Sequence, residues 1–430
     1  MRCVGYSLLI VAAILLMLFA PPAFAWVNEG VFTIPQDVDH YILGGAGYGD
    51  KFAVVVRDNV NNSFYVLVFD SNLNLLNNIT SIKINGTDKG ELKFVDMYGD
   101  ILAFAVHDSN EGERWIVILN VTSGEHYAVL GSYEVLGEWI EDLAVVGNYV
   151  YVTYFDDNES DYCVVPIYIN GTVLYDKKVC RYVDTIFRVG PDLLGYEGYD
   201  YDAGESILVI ARVVDDGSLE TVVEVPQFED HAGYDTGGVW DPRNNVVYVV
   251  YTRYVFGEGD TMGIGVINLT DGSVALVATC DDAGIIRFVG LPPAGHLIYG
   301  IYADPDYYPE DEGTGVYRVV DGAVYIESIS GEPLAYIVVD GAEKVLMKKS
   351  LKEIRLYSNY GSGTVVTTTA TTTTTMTVTE TQPMYITETE TETVTVTSAV
   401  PGTYTSQDLF LVGLAAFFLA LAMGFVLARR

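Results

Sequence analysis

The chain has 430 residues and a formal net charge of −35 at neutral pH. This excess of carboxylates argues against nucleic-acid binding, because phosphates need a basic surface, and it favours cations or basic partners. The sequence contains no P-loop, nucleophile elbow, HExxH or CxxC motif. It therefore predicts no cofactor and leaves open whether the protein is an enzyme.

The N-terminal residues 1–25 have the features of a secretory signal peptide. Arg2 precedes an apolar run over residues 8–20, and the small-x-small sequence of residues 23–25 ends just before Trp26. We expect the mature chain to begin near Trp26. The alternative, an N-terminal membrane anchor, is disfavoured because the apolar run is short and the prolines at 21–22 interrupt it.

Turn segments recur along residues 26–360 at intervals of about 45 to 50 residues, the spacing typical of propeller blades. The seven segments begin at Tyr48, Tyr98, Gly147, Gly190, Asp241, Gly290 and Asp340. A run of β-branched and aromatic residues follows each one, and tight hairpins such as Asn170-Gly171 come later in the units. The sequence predicts an all-β, seven-bladed β-propeller. A pair of β-sandwiches is the rival fold, which the constant spacing disfavours.

The last unit, over residues 332–357, has only three predicted strands. We expect residues 27–34, which precede the first complete unit, to supply its missing outer strand. The ring would then be closed by pairing the two ends of the propeller.

The C-terminal part changes composition twice. Residues 361–407 are rich in Thr and lack core-forming periodicity, which predicts a disordered, O-glycosylated stalk. Residues 409–428 form an apolar run without charge that predicts a transmembrane helix over residues 408–428, and the basic pair 429–430 predicts a cytoplasmic tail. The predicted localisation is therefore the cell membrane, single-pass, with the N-terminal domain outside.

This order of signal peptide, β-rich ectodomain, Thr-rich stalk and C-terminal span resembles archaeal cell-envelope proteins, including surface-layer components and extracellular binding proteins. Pro401-Gly402 is similar to archaeal C-terminal sorting signals, although Thr403 stands where those have Phe. That similarity leaves open whether the span is retained or replaced by a lipid. The segment VWDPRNNVVYVVY, residues 239–251, resembles the blade signature of YVTN-type surface propellers, which implies the fold for one blade.

Two kinds of covalent modification are predicted for an exported chain. Cys163 and Cys180 flank the Asn170-Gly171 turn at similar distances, which predicts a cross-strand disulfide and leaves Cys280 as a buried thiol. The N-glycosylation acceptors with an Asn-x-Ser/Thr sequence are Asn61, Asn78, Asn85, Asn120, Asn158, Asn170 and Asn268.

The inner strands should begin on the face of the ring that carries the longer loops, and polar residues there are candidates for ligand binding. They are His40, Asp142, Asp184, Asp235 and Arg287, with His231 in an entering loop. For the carboxylates, hydrogen bonding between blades is the favoured alternative to catalysis. Asp304, Asp306 and Asp311 form a dense acidic run that could bind Ca²⁺, although a solvated loop is the favoured interpretation.

Three functional hypotheses follow. The first is a membrane-anchored extracellular binding or scaffolding module that presents a propeller face to an envelope protein or glycan. The second is an extracellular polysaccharide or peptide hydrolase or lyase that uses carboxylates at the channel mouth. The third is a structural stalk component of a surface layer.

Overall fold

The computed structural model describes most of residues 26–360 and two short segments beyond them. Its gaps within the first range are 83, 85–89, 108–113, 184, 203, 227–236, 256–258, 281–284, 292–296, 303–314, 321–322 and 327–328, and the later segments are 367–375 and 389–397. The chain divides into two compact units, one of residues 25–359 and one formed by the two chain ends.

The first unit contains seven four-stranded antiparallel sheets within the described residues. The first strand is β1 (Val27–Thr33). Blades 1 to 3 then comprise β2 (His40–Tyr48), β3 (Lys51–Asp58), β4 (Ser63–Asp70) and β5 (Leu75–Ile82); β6 (Glu91–Tyr98), β7 (Ile101–His107), β8 (Arg114–Asn120) and β9 (His126–Gly131); and β10 (Ile140–Val146), β11 (Tyr149–Asp156), β12 (Asp161–Tyr168) and β13 (Val179–Cys180).

The remaining blades follow the same order from inner to outer strand. Blades 4 to 6 comprise β14 (Ile186–Arg188), β15 (Leu193–Asp200), β16 (Glu205–Val213) and β17 (Leu219–Pro226); β18 (Gly238–Asp241), β19 (Val246–Val255), β20 (Gly259–Asn268) and β21 (Val274–Cys280); and β22 (Ile285–Gly290), β23 (Leu297–Tyr302), β24 (Gly315–Val320) and β25 (Ala323–Ile326). Blade 7 contains β26 (Glu332–Val339), β27 (Ala342–Ser350) and β28 (Glu353–Tyr360). A short helix α1 (Ser132–Val135) precedes blade 3, and a 3-10 turn, Tyr175–Lys177, precedes β13.

The sheets are arranged in a ring around the inner strands. Contacts join β2 to β6, β6 to β10, and so on through β22 to β26, and β26 in turn contacts β2. Every blade is therefore covered on both faces by its neighbours. This double burial explains why a second strand such as β7 is a continuous apolar run over residues 101–106 instead of an alternating one.

A hydrophobic cluster fills each interface between neighbouring blades. The cluster between blades 1 and 2 includes Phe64 and Phe104, and the one between blades 7 and 1 includes Phe52 and Leu346. The other five interfaces, including the one between blades 6 and 7, are filled in the same way. Burying apolar surface at these interfaces contributes a free energy of about 25 cal/mol per Å², which is the main stabilising contribution.

The ring closes through β1. It pairs antiparallel with β28 from Val27 opposite Ser358 to Thr33 opposite Glu353, and so becomes the outer strand of blade 7. This confirms the predicted closure by an N-terminal strand and, with it, the seven-bladed propeller. Charge reinforces the contact, because Glu29 Oε2 lies 2.6 Å from Nζ of the buried Lys344 in β27.

The predicted turn segments lie between the first and second strands of the seven blades. Gly49, Gly99, Gly147 and Gly341 have positive φ angles there, which is the conformation that a tight turn requires. These turns share one end of the blades with the hairpin turns at Gly171, Gly217 and Gly272. We call this end the tight-turn face and the opposite end the loop face.

The second unit contains one described sheet. Strands β29 (Thr367–Thr375) and β30 (Thr389–Thr397) pair antiparallel within the segment for which the sequence predicts a stalk without regular structure. The two strands consist mainly of Thr, with Val394 and Val396 in β30, and the high β propensity of these residues accounts for the difference. None of the described helices is both long and apolar enough to cross a membrane. The predicted span at 408–428 lies outside the described residues.

We expect the substitution Glu29→Gln to lower the free energy of unfolding by about 2 kcal/mol, because it leaves the Lys344 ammonium buried without its counterion. The control Glu91→Gln removes the partner of Lys93 at an exposed site and should cost less than about 1 kcal/mol. Urea denaturation of both variants measures the difference. Equal effects would show that the Glu29 pair does not hold the closure.

Candidate functional site

A central channel runs along the inner strands. Its cavity has a volume of about 550 Å³, and residues from all seven blades line it. Asp142, which the sequence predicts as a ligand-binding residue, is among them, together with Asp96 and Glu332. Glu332 is paired with Lys348, whose Nζ lies 2.7 Å from Oε2.

Asp96 and Asp142 each accept a hydrogen bond from the backbone of the next blade. Asp96 accepts hydrogen bonds from the amide of Met97 and, across the interface, from that of Val145, both at 2.8 Å. Asp142 accepts hydrogen bonds from the amides of Leu143 at 2.7 Å and Ile186 at 3.0 Å. Each carboxylate therefore satisfies a backbone donor that would otherwise be unpaired inside the ring.

The tight-turn end of the channel is occupied by Arg188. From blade 4 its guanidinium reaches blade 2, where Nη2 donates to Asp96 Oδ1 at 3.1 Å and to the Met97 carbonyl at 3.2 Å. It also lies 5.4 Å from the ring centroid of Tyr48 in blade 1 and 5.8 Å from that of Tyr98. Burial would lower the pKa of Arg188, but Asp96 outweighs this effect and raises it. This permanently charged group joins three blades across the ring.

Arg188 and Asp96 are not among the site residues predicted from the sequence. Each is a charged residue that directly follows two apolar ones, Ile186-Phe187 and Phe94-Val95, and lies two positions before the tight turns at Gly190 and Tyr98. That break in the pattern is the signal that could have identified them. It cannot show that the two side chains meet, because 92 positions separate them.

His40 lies outside the channel lining. The register of β2 shifts between Ile42 and Gly44, and the lining begins only at Leu43. His40 instead lines a recess of about 680 Å³ on the loop face, between β1 and blade 1. We call it the closure recess. Its lining residues are Phe32, Ile34, Pro35, Val38, His40, Asp58, Asn61, Ser63, Tyr65, Leu67, Leu75, Asn78 and Thr80.

His40 is fixed by two partners in the closure recess. Its Nε2 lies 3.2 Å from Asp58 Oδ1, and its Nδ1 lies 3.1 Å from the Tyr65 hydroxyl. Burial and the nearby Asp58 raise the pKa of Tyr65 to about 12, so the phenol stays protonated. Burial would raise the pKa of Asp58, but hydrogen bonds from Asn61 and the nearby His40 outweigh it and lower the pKa. The recess combines an apolar wall with fixed hydrogen-bonding groups, an arrangement suited to ligand binding.

The structure joins Cys163 and Cys180 by a disulfide between directly paired residues of β12 and β13. Asp156 lies beside the two sulfurs, and the three side chains are close enough together to be considered as metal ligands. The sulfurs are bonded to each other, however, and Asp156 Oδ2 accepts hydrogen bonds from Tyr154 and Lys178. This group is structural.

Most of the remaining predicted site residues lie outside the described part of the structure. Arg287 lies in β22, and its side chain is outside the described part of the structure. Also outside the described residues are Asp184, His231, Asp235, Asp304, Asp306, Asp311 and Asn85. Of the other predicted glycan acceptors, Asn61, Asn78, Asn158 and Asn170 are exposed, while Asn120 and Asn268 are half-buried.

We expect acid to remove the stabilising contribution of Asp156. Burial would raise the pKa of this carboxyl, but hydrogen bonds from Lys178, Tyr154 and two backbone amides outweigh burial and lower the pKa to about 2. A lowered pKa in the folded state stabilises above the unfolded-state value, so the contribution of about 2 kcal/mol is lost between about pH 4 and pH 2.

The measurement is the free energy of unfolding of the protein and of Asp156→Asn across this range. The difference in the free energy of unfolding between the unmodified protein and Asp156→Asn should be largest near neutral pH and should decrease as pH falls. A gap that is independent of pH would contradict the assignment.

No protein-family model matches the sequence, and no curated protein matches it. Among solved structures, the chain is similar to a chain of the mitotic checkpoint complex, with 12% identity over 80% of this chain and 98% of that one and a TM-score of 0.48. It is also similar to the β-propeller domain of the Trilobed protease from Pyrococcus furiosus, with 10% identity over 75% and 94% and a TM-score of 0.45. A third similar structure is BamB from Moraxella catarrhalis, with 9% identity over 77% and 97% and a TM-score of 0.41. The propeller assignment rests on the strand pairing described above, and these distant similarities identify no family.

Proposed function

We propose that the protein is a binding or scaffolding module of the cell envelope, with its propeller outside the membrane. The N-terminal sequence supports export, and the apolar run at 409–428 supports a C-terminal anchor. The Thr-rich residues 361–407, which lie between the propeller and this apolar run in the sequence, would act as a spacer. On this proposal the partner is an envelope protein or glycan and not a nucleic acid.

The proposal rests on one observation: the described carboxylates of the channel are already used in hydrogen bonds to the backbone or in an ion pair. A glycoside hydrolase of the usual kind needs two carboxyl groups within roughly 5 to 10 Å of each other and free to reach the substrate. In the described part of the channel, Asp96 and Asp142 instead accept backbone hydrogen bonds, and Glu332 is paired with Lys348. Arg188 also occupies the tight-turn end. The rigid ring is thus better suited to holding a partner on its loop face than to chemistry in its channel.

We expect the full-length protein, solubilised in detergent and immobilised, to retain a specific intact component from the envelope fraction of its native cells. Mass spectrometry of the retained and released material identifies the component. A heat-denatured sample on the same support is the control for nonspecific adsorption. Steady release of soluble fragments, in place of retention, would overturn the proposal and favour the hydrolase.

We expect Asp142→Ala to lower the free energy of unfolding by about 2 kcal/mol, because the amides of Leu143 and Ile186 lose their acceptor inside the ring. Asp142→Asn keeps one acceptor oxygen and should cost less. Asp50→Ala, at an exposed turn position, is the control and should leave stability nearly unchanged. A catalytic Asp142 predicts a different result: full stability of the Asn variant with loss of fragment release from the envelope fraction.

A further inference from the structure

An unbroken series of aromatic rings crosses the loop face from blade 3 to blade 4. We call it the tyrosine strip; its members are Phe155, Tyr162, Tyr182, Tyr199 and Tyr201. Successive ring centroids are 5.2, 5.1, 6.4 and 5.2 Å apart, and each pair packs edge to face. No pattern along the sequence indicates this feature, because its rings come from three separate segments of the chain.

Part of the strip is exposed to solvent. Tyr182 is 46% exposed and Tyr201 62%, and the other three rings are half-buried, whereas Tyr151, Tyr154 and Tyr299 are buried between blades. What distinguishes the strip is its continuity: five rings in contact with one another, two of them exposed, form one aromatic patch. Such patches mark interaction sites, and Tyr is enriched at interfaces.

A single carboxylate organises the strip. Asp161 Oδ1 accepts hydrogen bonds from the Tyr162 amide at 2.8 Å, the Tyr182 amide at 3.0 Å and the Tyr201 hydroxyl at 2.9 Å. The Cys163–Cys180 disulfide joins the two segments that carry Asp161 and Tyr182, since Cys163 is two residues after Asp161 and Cys180 is two residues before Tyr182. The Tyr199 amide also donates to the Arg181 carbonyl at 2.7 Å. The rings are thus held in place before any partner arrives, which lowers the entropic cost of binding.

The chemistry around the strip is acidic. The exposed carboxylates of Asp157, Glu159 and Asp202 lie in the two loops next to its ends, and that of Glu205 lies at the start of β16. The nearby cations are already used, because Arg181 forms a bidentate pair with Glu224 and Lys178 bonds both Asp156 and Glu159. Burial and the neighbouring Asp157 raise the pKa of Glu138 on the same face, a sign of crowded negative charge. Aromatic faces and carboxylates both attract cations.

We propose that the tyrosine strip binds a cationic protein segment, with Lys or Arg side chains lying over the rings and paired with the flanking carboxylates. This inference rests on the proposed binding function and specifies the face and the chemistry of the partner.

The test uses the full-length protein and two synthetic probes, a (Lys-Gly)6 peptide and the same peptide with every lysine acetylated. Binding is measured by isothermal titration calorimetry at low and high salt. We expect the charged peptide to bind and the acetylated one not to bind. We expect the double variant Tyr182→Ala/Tyr201→Ala to weaken binding at least tenfold, and the double Phe variant at the same positions, which keeps both rings, to weaken it less than threefold.

The matched control is Tyr175→Ala. Tyr175 is 49% exposed but lies outside the strip, where its hydroxyl donates to the Val135 carbonyl. We expect this variant to change binding less than twofold. Unchanged circular dichroism and thermal midpoint would show that each variant is folded. Binding that survives the double Ala variant, or that is equal for the acetylated peptide, would overturn the inference. The inference would also be overturned if the double Ala variant kept its binding to the charged peptide but lost binding to neutral envelope oligosaccharides, because the strip would then be a glycan site.

The envelope retention experiment separates this inference from the proposed function. If the unmodified protein and the double Ala variant retain the same component, the module binds through another surface and only the strip assignment fails. If the unmodified protein retains nothing, the proposed function fails, and the peptide titration still reports on the strip.

Discussion

The antiparallel pairing of β1 with β28 is the contact on which the ring depends. Each blade has two faces of apolar side chains, and each face is covered only by a neighbouring blade. Without β1 and the adjoining Ile34, the outer edge of blade 7 would expose unpaired backbone groups, and the interface with blade 1 would lose Phe32 and Ile34 from its cluster. The closure is long-range, because it joins residues more than 300 positions apart, and so it also commits the chain to a slow folding topology.

Closure divides the molecule into two chemically different ends. The tight-turn face is built from short turns with positive φ angles, and behind it the guanidinium of Arg188 is held by Asp96 and two tyrosine rings. The closure recess and the tyrosine strip both lie on the loop face. A rigid ring beneath variable loops is a common way to position binding groups.

The polar groups inside the ring illustrate how burial decides the role of a residue. Asp142 has the position of a channel ligand, but in the structure its oxygens are used by two amides. Asp161 has no distinctive position in the sequence, yet it orients three tyrosines at the surface. Both carboxylates accept backbone hydrogen bonds. Only their surroundings distinguish a group that joins two blades from one that shapes a contact surface.

The sequence by itself determined the repeat, the number of blades and the closing strand. These features depend on local signals, namely turn residues that permit positive φ angles and runs of β-branched residues, and the constant spacing of such signals shows how many sheets must stack. The sequence also identified Cys163 and Cys180, because a hairpin places residues at similar distances from its turn opposite each other. The tertiary structure decided which side chains meet across blades. The contacts of Arg188 with Asp96, of His40 with Tyr65 and of Tyr182 with Tyr199 depend on blade twist, on bulges such as that between Ile42 and Gly44, and on ring closure. Those determinants are non-local, so no pattern along the chain specifies them.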